Sequence, residues 1–489
     1  MGGVGARPAG RPGAGGGRGP GRRAPVGRHP AGLPARRALR RVRRGAARRA
    51  RRSRAARRRL HGRGPRLPAL PRDALRSGRL RDLRGPPGLR AARRVHPRSR
   101  PPGHGRRQGP GGGGTVNVEG RLADGRPVRV ELDGPRIAAV TELRDAPDAL
   151  ILPGLVDLQV NGYGGRDFNA DDLSTGDVAE LVRELWRHGT TTLCPTIITA
   201  PEDKIIRNLR VIAAAREADP LVRHAIPALH IEGPCLAAED GPRGAHDAGY
   251  LRDPDIAEFG RWQEAGGGLV RIVTLAPERA GAVPYIAELS RRNVIVSIGH
   301  TAAAPADIEA AVRAGARLST HLGNGAHAMI RRHPNYIWAQ LAEDRLAATF
   351  IADGHHLPAD TFTAMLRAKG TARALLVSDS VALAGCAPGD YTTPVGGRIT
   401  VREDGRVTLP GSELLAGSGS SLIECVAWAV TRTEVGLGTA VGMAAENPAR
   451  LLGTGGGRIG PGAPADLIVT TSDLSVLRTF VNGVPVHSA

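Results

Sequence analysis

Five side chains able to bind a metal or move a proton each stand just behind, or at the end of, a short apolar run: Glu232 in LHIEGP, His300 in VIVSIGHT, His321 in RLSTHLGN, His356 in ADGHH and Asp379 in ALLVSDSV. One carboxylate with two imidazoles (Glu232, His300 and His321) is an oxygen-plus-two-nitrogen set suited to zinc or ferrous iron, with a position left for water. Asp379, outside that set, has the chemistry to take a proton from the water and return it to a leaving group. Singly, each residue has a plainer reading: a hydrogen-bonded histidine, an ion-paired glutamate, an aspartate capping a helix. Those readings do not account for five such residues behind successive apolar runs.

The elements that must position them are legible around residues 294–327. VIVSIGH is a β-branched run, residues 305–313 have the Ala/Ile/Val spacing of an amphipathic helix, Gly315 stops it, and RLSTHLGN supplies a second strand. A right-handed crossover makes the two strands parallel neighbours and brings His300 and His321 to one carboxyl edge. The same alternation recurs along the chain, with strand-like runs at 155–161, 190–198, 225–234, 270–278, 294–301, 317–324, 348–356 and 374–381. Continuous apolar runs imply strands covered on both faces, and eight of them with intervening helices predict a (β/α)8 TIM-type barrel over 152–450. An open doubly wound sheet is weakened by the lack of a GxGxxG turn after the first strand.

Residues 115–151 and 451–489 share a different texture, short alternating strands broken by Asp-Gly, Gly-Pro and Asn-Gly turns. They are expected to pair into one small β-sandwich-like domain built from the segments before and after the barrel. A further hairpin excursion, YTTPVGGRITVREDGRVTLP, precedes the helix SSLIECVAWAV.

The formal charge of +23 would suggest a nucleic-acid partner, but it is unevenly spread. Residues 1–114 hold 34 of the 69 lysines and arginines, all arginine, with only Asp73 and Asp82 of the 46 acids, a net of about +32. The remainder, 35 basic against 44 acidic residues, carries about −9, ordinary for a cytosolic enzyme. Segment 1–114 has no Lys, Glu, Ile, Phe, Tyr or Trp with which to bury a core. It is expected to be a disordered or mistranslated extension, its residues being those of GC-rich codons. The competing expectation is a basic arm that binds nucleic acid by counterion release. Cys194, Cys235, Cys386 and Cys425 are widely spaced with no CxxC pair, no apolar run approaches a membrane span, and the start lacks a signal-peptide core. The expected compartment is the cytoplasm.

From Asn117 onward the sequence resembles the N-acetylglucosamine-6-phosphate deacetylases of the amidohydrolase superfamily. The carriers are LPGLVDLQVNGYGGRDF (152–168), LHIEGP (229–234), GAH (244–246), SIGHT (297–301), STHLGN (319–324), ADGHH (352–356), LVSDS (376–380) and LAGS (415–418). The resemblance implies one divalent metal, zinc or iron, held by Glu232, His300 and His321, with Asp379 as general base and then acid. Where most of the superfamily has His-x-His for a second metal, this chain has Gln159 and Asn161, which implies the single-metal version. Activated water would attack the acetamide carbonyl and release acetate and a hexosamine phosphate.

The resemblance further implies substrate contacts from Ala245 and His246, from His356, from Asn324 with the neighbouring backbone amide of Gly325, and from the backbone of Leu415, Ala416 and Gly417. Arg332 falls where a phosphate-binding arginine is supplied across a homodimer interface. One departure stands out: the family commonly has Asn-Ala-Met after the sixth strand, and this chain has Asn324-Gly325-Ala326-His327. The expected partner is thus a phosphorylated N-acetyl amino sugar, with no membrane and no nucleic acid. Another N-acyl amine, or a cyclic amide, is the alternative substrate class.

Overall fold

The computed structural model of the chain describes residues 115–393 and 397–489. The expected N-terminal extension, and with it the nucleic-acid arm, lies outside the described residues. All eight apolar runs are strands: Leu155–Val160 (β1), Thr190–Ile198 (β2), Leu229–Glu232 (β3), Val270–Leu275 (β4), Ile295–Ile298 (β5), Leu318–Ser319 (β6), Ala347–Ile351 (β7) and Ala374–Val377 (β8). They lie side by side in sequence order, each parallel to the next. Just past the ends of β1 and β8 the ring closes: Asn161 N–H donates to the Ser380 carbonyl at 2.9 Å and Asp379 N–H to the Gln159 carbonyl at 3.0 Å. The result is a closed (β/α)8 barrel, and its strands read as unbroken apolar runs because both faces are covered.

A helix follows every strand and supplies that cover. In Thr175–Arg187 the buried residues Val178, Leu181, Val182 and Leu185 repeat at helical spacing, and Ser174 caps the first turn in a reciprocal box with Asp177. The helix expected at 305–313 runs Pro305–Ala314, with proline at its start and Gly315 ending it at φ 115°. A side chain at Gly315 would be strained by that φ and would also come within 2.3 Å of Ser290 Oγ.

The two flanking segments form one seven-stranded sheet. Its order is Val484–Ser488, Val476–Val481, Leu467–Thr470, Leu150–Pro153, Val116–Arg121, Pro127–Asp133 and Arg136–Glu142. The join between the two ends of the chain is the antiparallel pair of Leu150–Pro153 with Leu467–Thr470. Val118, Val130, Ile137, Ile151, Leu467 and Phe480 make its apolar core. The hairpin excursion is a small sheet of Gly389–Thr393, Gly397–Val401 and Val407–Thr408.

One buried cation ties the outer layer together. Lys369, at the end of helix Ala359–Lys369, donates from Nζ to the carbonyls of Gln340, Glu343 and Leu346 at 2.7, 2.9 and 2.9 Å. Those carbonyls lie at or beyond the end of helix Tyr336–Ala342, where the helix no longer supplies donors. Three N–H donors meet three acceptors, so the ammonium is fully satisfied although the side chain is buried. Lys369→Met keeps the volume but strands three buried carbonyls, and should lower the unfolding free energy by about 3 kcal/mol in denaturant titration. A loss below about 0.5 kcal/mol would show that solvent replaces the ammonium.

Candidate active site

The residues singled out by chemistry arrive at the carboxyl rim of the barrel through unusual backbone. Glu232 is the last residue of β3, but His300, His321 and Asp379 each lie two residues beyond the last ladder residue of β5, β6 and β8. All three leave the ladder with positive φ, at 49°, 27° and 48°, and they are half of the six non-glycine residues in that region among the described residues. A side chain there costs about 1–2 kcal/mol, so the surroundings must impose the conformation. They do so with hydrogen bonds. The His300 carbonyl accepts from Ala237 N–H at 3.0 Å, and Asp379 is held on both sides by the Gln159 carbonyl and by Ser418 N–H at 3.2 Å. His321 N–H donates to Thr349 Oγ1 at 2.6 Å.

The outcome is a crowd of lone pairs. His321 Nε2 lies 3.1 Å and His300 Nε2 3.3 Å from Glu232 Oε1, and the two imidazole nitrogens are 3.1 Å apart. The tautomer of His300 is fixed, since its Nδ1 faces the Pro242 carbonyl at 2.8 Å and a carbonyl can only accept. Nε2 therefore turns a lone pair toward the other two atoms. His321 Nδ1 is buried without a partner, so it can carry that ring's proton when a cation, in place of a proton, sits between Nε2 and Glu232. Four ligands at the usual zinc distance of about 2.0–2.1 Å stand roughly 3.3 Å apart in a tetrahedron, close to the spacing found. Glu232, His300 and His321 are buried and form the one group of three among the described residues able to hold a metal ion, and their donor chemistry fits a divalent cation. Burial alone would raise the Glu232 carboxyl, but the two imidazoles outweigh it and hold the group well below the usual range. Burial likewise lowers His321, and Glu232 outweighs it to leave that pKa raised.

Asp379 faces this set from across the rim. Burial and the Glu232 charge push its pKa up to about 6, against the pull of His321, His356 and a hydrogen bond from Asn161. Asn161 and Gln159, unsuited as zinc ligands, have a different use: Asn161 Nδ2 donates to Asp379 Oδ1 and Gln159 Nε2 to Glu232 Oε1, both at 2.9 Å. Each carboxylate is thus aimed by an amide.

The other expected residues fall into two groups. His246 is buried, edge-on to His300 with ring centroids 4.4 Å apart, and its Nδ1 meets Thr199 Oγ1 at 2.9 Å. Burial and the neighbouring His300 lower its pKa to about 3, so it is neutral. His356 is held through Nδ1 by Asp353 Oδ2 at 2.7 Å. Asn324 folds back on the His321 carbonyl through its N–H at 2.9 Å. Gly325 explains part of the altered loop: it has φ 54°, and a Cβ there would lie 2.7 Å from His300 Nδ1. Leu415, Ala416 and Gly417 run from the small sheet to Asp379, with Ala416 N–H on the Val407 carbonyl at 2.9 Å and Gly417 at φ 114° against Val381. Ala245 and Arg332 are exposed, Ala245 in the stretch between Gly244 and His246 that passes beside His300. His327, the departure residue, links two loops: its Nε2 is 2.8 Å from Glu239 and its Nδ1 3.0 Å from the Tyr336 hydroxyl.

Sequence reasoning missed the polar groups inside the barrel. His230 Nδ1 must donate to the Leu158 carbonyl at 3.0 Å, and burial lowers its pKa to about 4. Neutral, its Nε2 accepts from Thr274, which then accepts from Thr320, which accepts from Ser297, at 2.8, 2.7 and 2.5 Å. One carbonyl thereby sets the direction of a whole hydroxyl chain beneath the site. Asp157 accepts from Gln159 N–H and from Ser378 N–H, both at 3.2 Å, bridging the closing seam between β1 and β8. The available signal was an aspartate and a histidine inside otherwise apolar runs.

Burial raises the Asp157 pKa from 3.8 to about 7. The folded chain then keeps a proton that the unfolded chain has released, so this group's stabilisation is present below about pH 4 and lost as pH rises through about 7. In metal-stripped protein, Asp157→Asn should remove a fall of about 4 kcal/mol between those limits, read as the pH slope of the unfolding free energy. Parallel curves for parent and variant would show that the carboxyl is ionised throughout.

The sequence model of the amidohydrolase family matches residues 150–486. The chain is similar to the N-acetylglucosamine-6-phosphate deacetylase of Bacillus subtilis (strain 168), 32% identical over 368 residues that cover 74% of this chain and 91% of that protein. It is similar to the N-acetylgalactosamine-6-phosphate deacetylase of Escherichia coli O157:H7, 33% identical over 367 residues, 74% of this chain and 93% of that one. Among solved structures it resembles N-acetyl-D-glucosamine-6-phosphate deacetylase from Mycobacterium smegmatis, an aspartate-to-alanine mutant in complex with N-acetyl-D-glucosamine-6-phosphate. There the TM-score is 0.69 and the identity 31%, covering 77% of this chain and 100% of that one.

Proposed function

The chain belongs to the amidohydrolase family, and from that membership and the rim geometry we propose that it hydrolyses the acetamide of N-acetylglucosamine 6-phosphate to glucosamine 6-phosphate and acetate. The observation that carries this is the convergence of Glu232, His300 and His321, whose ligand atoms all lie within 4.8 Å of one another, with Asp379 facing them.

Glu232, His300 and His321 would hold one divalent ion, zinc or iron. When bound, such an ion supplies Lewis acidity that acidifies a water and polarises the acetamide carbonyl. Asp379 takes the proton of the attacking water and returns it to the departing amine nitrogen, and its raised pKa suits both halves of that transfer. Asn161 keeps one Asp379 oxygen occupied so that the other faces the reaction. Neutral His246 and Asp353-braced His356 hydrogen-bond the sugar, alongside Ala245 and the backbone of Leu415, Ala416 and Gly417. The backbone amide of Gly325, beside Asn324, contacts the phosphate.

The phosphate also needs a cation, and Arg332 suits that role from a second copy of the chain. The loop around it exposes Met329 (91%) and Ile330 (39%), and the helix that follows exposes Trp338 (56%), beside an apolar hollow of about 430 Å³ lined by Pro305, His333, Pro334 and Trp338. Apolar surface of this kind supports a homodimer. No helix among the described residues is long and apolar enough to cross a membrane. The four cysteines are free, which supports a reducing, cytoplasmic setting.

Acetate release from N-acetylglucosamine 6-phosphate, its galactosamine epimer and unphosphorylated N-acetylglucosamine, measured beside ring opening of dihydroorotate, tests the reading. The phosphorylated amino sugars should turn over fastest, and hydrolysis confined to dihydroorotate would falsify the assignment. Asp379→Asn should keep its metal but lose about 10²–10⁴ in kcat; near-normal turnover removes Asp379 from proton transfer. Arg332→Ala should raise KM for the phosphorylated sugar roughly 30-fold or more, the worth of a charge-assisted pair. Its KM for the unphosphorylated analogue should barely move, and equal effects on both would refute the phosphate contact.

A further inference from the structure

Glu278 has no part in the mechanism above, yet it sits one layer behind a metal ligand. It follows β4 by three residues and is partly buried, with both carboxylate oxygens engaged by the turn that follows His300. Oε2 accepts from the Thr301 hydroxyl and Oε1 from Ala302 N–H, each at 2.6 Å. Thr301 Oγ1 in turn accepts from Ala303 N–H at 3.0 Å. On the entering side, Gly299 N–H donates to the Leu275 carbonyl at 3.2 Å, and a Cβ on Gly299 would lie 2.7 Å from Thr320 Cβ. His300 is therefore gripped from both directions by the end of β4: through Leu275 ahead of it and through Glu278 behind.

The grip matters because His300 holds φ 49°, a conformation that an unrestrained histidine leaves. Relaxing that one dihedral would swing the imidazole, and two short bonds to a carboxylate are the strong kind that resist it. The contacts from the other side, Ala237 N–H to the His300 carbonyl and His300 Nδ1 to the Pro242 carbonyl, come from the loop after β3 and cannot hold residues 301–302.

We infer that Glu278 is a positioning residue, a carboxylate that locks the turn after His300 and so keeps the His300 imidazole aimed at the ion. This rests on the reading that Glu232, His300 and His321 hold a divalent metal. It also separates from a plain capping role at the start of helix Pro305–Ala314, which would affect melting temperature and leave metal affinity alone.

The test is cobalt(II) titration of metal-free protein, followed by its visible absorption, well below the melting temperature of each variant. Glu278→Ala should weaken cobalt binding about 10-fold, the low end of the loss of an outer partner of a ligand, because Glu278 bonds the two residues after His300 and not its ring. Glu278→Gln, which keeps an acceptor for one donor only, should fall between that and the parent. Thr301→Val, a milder change that deletes one bond and leaves the backbone alone, should weaken binding in the same direction and keeps the test open if the glutamate variants do not fold. Cobalt affinities within twofold of the parent in every folded variant, whatever their melting temperatures, overturn the inference alone. A parent that takes up no cobalt overturns the metal reading and this inference with it.

Discussion

Glu232 Oε1 and the Nε2 atoms of His300 and His321 stand within 3.3 Å of one another, buried at the barrel mouth. Three electron-rich atoms at that range repel unless a positive charge lies among them, and much of the surrounding structure acts to keep them there. Gln159 donates to the same carboxylate oxygen, the Pro242 carbonyl fixes which imidazole nitrogen faces inward, and the positive φ of two histidines turns the rings toward the centre. The fold supplies this by ending neighbouring parallel strands at one rim, so residues far apart in sequence become adjacent.

The same crowding explains why the flanking polar residues are amides. Histidines in place of Gln159 and Asn161 would add lone pairs to a region already rich in them, which only a further cation could offset. Amide N–H groups instead give Glu232 and Asp379 a donor each without adding charge. The two carboxylates then part ways electrostatically, one held low by imidazoles and the other raised by burial and by its neighbour. A pair of acids pushed apart in this way can divide the work of holding charge and moving a proton.

Much of this was legible in the sequence, for identifiable reasons. The eight strands were marked by apolar runs because burial on both faces writes itself into every residue, and Glu232, His300, His321 and Asp379 were marked by standing at the ends of those runs. What periodicity does not encode is the backbone turn past the ladder, so the two-residue overshoot of His300, His321 and Asp379 appears only in three dimensions. The partners of Gln159 and Asn161 lie 73 and 218 residues away, beyond any local pattern. Asp157 and His230 were hidden in the opposite way, as single polar letters in apolar runs whose meaning depends on the barrel being closed. Arg332, which the resemblance led one to expect at a phosphate, is exposed on the surface of a single chain.

The seven-stranded sheet joins Leu150–Pro153, made before the barrel, to Leu467–Thr470, made after it. On the ribosome the earlier strand emerges first and is left with a row of unpaired amides and carbonyls while every barrel element is still being synthesised. Such an edge invites pairing with foreign strands. That edge is covered only once Leu467–Thr470 has been made, after every strand and helix of the barrel.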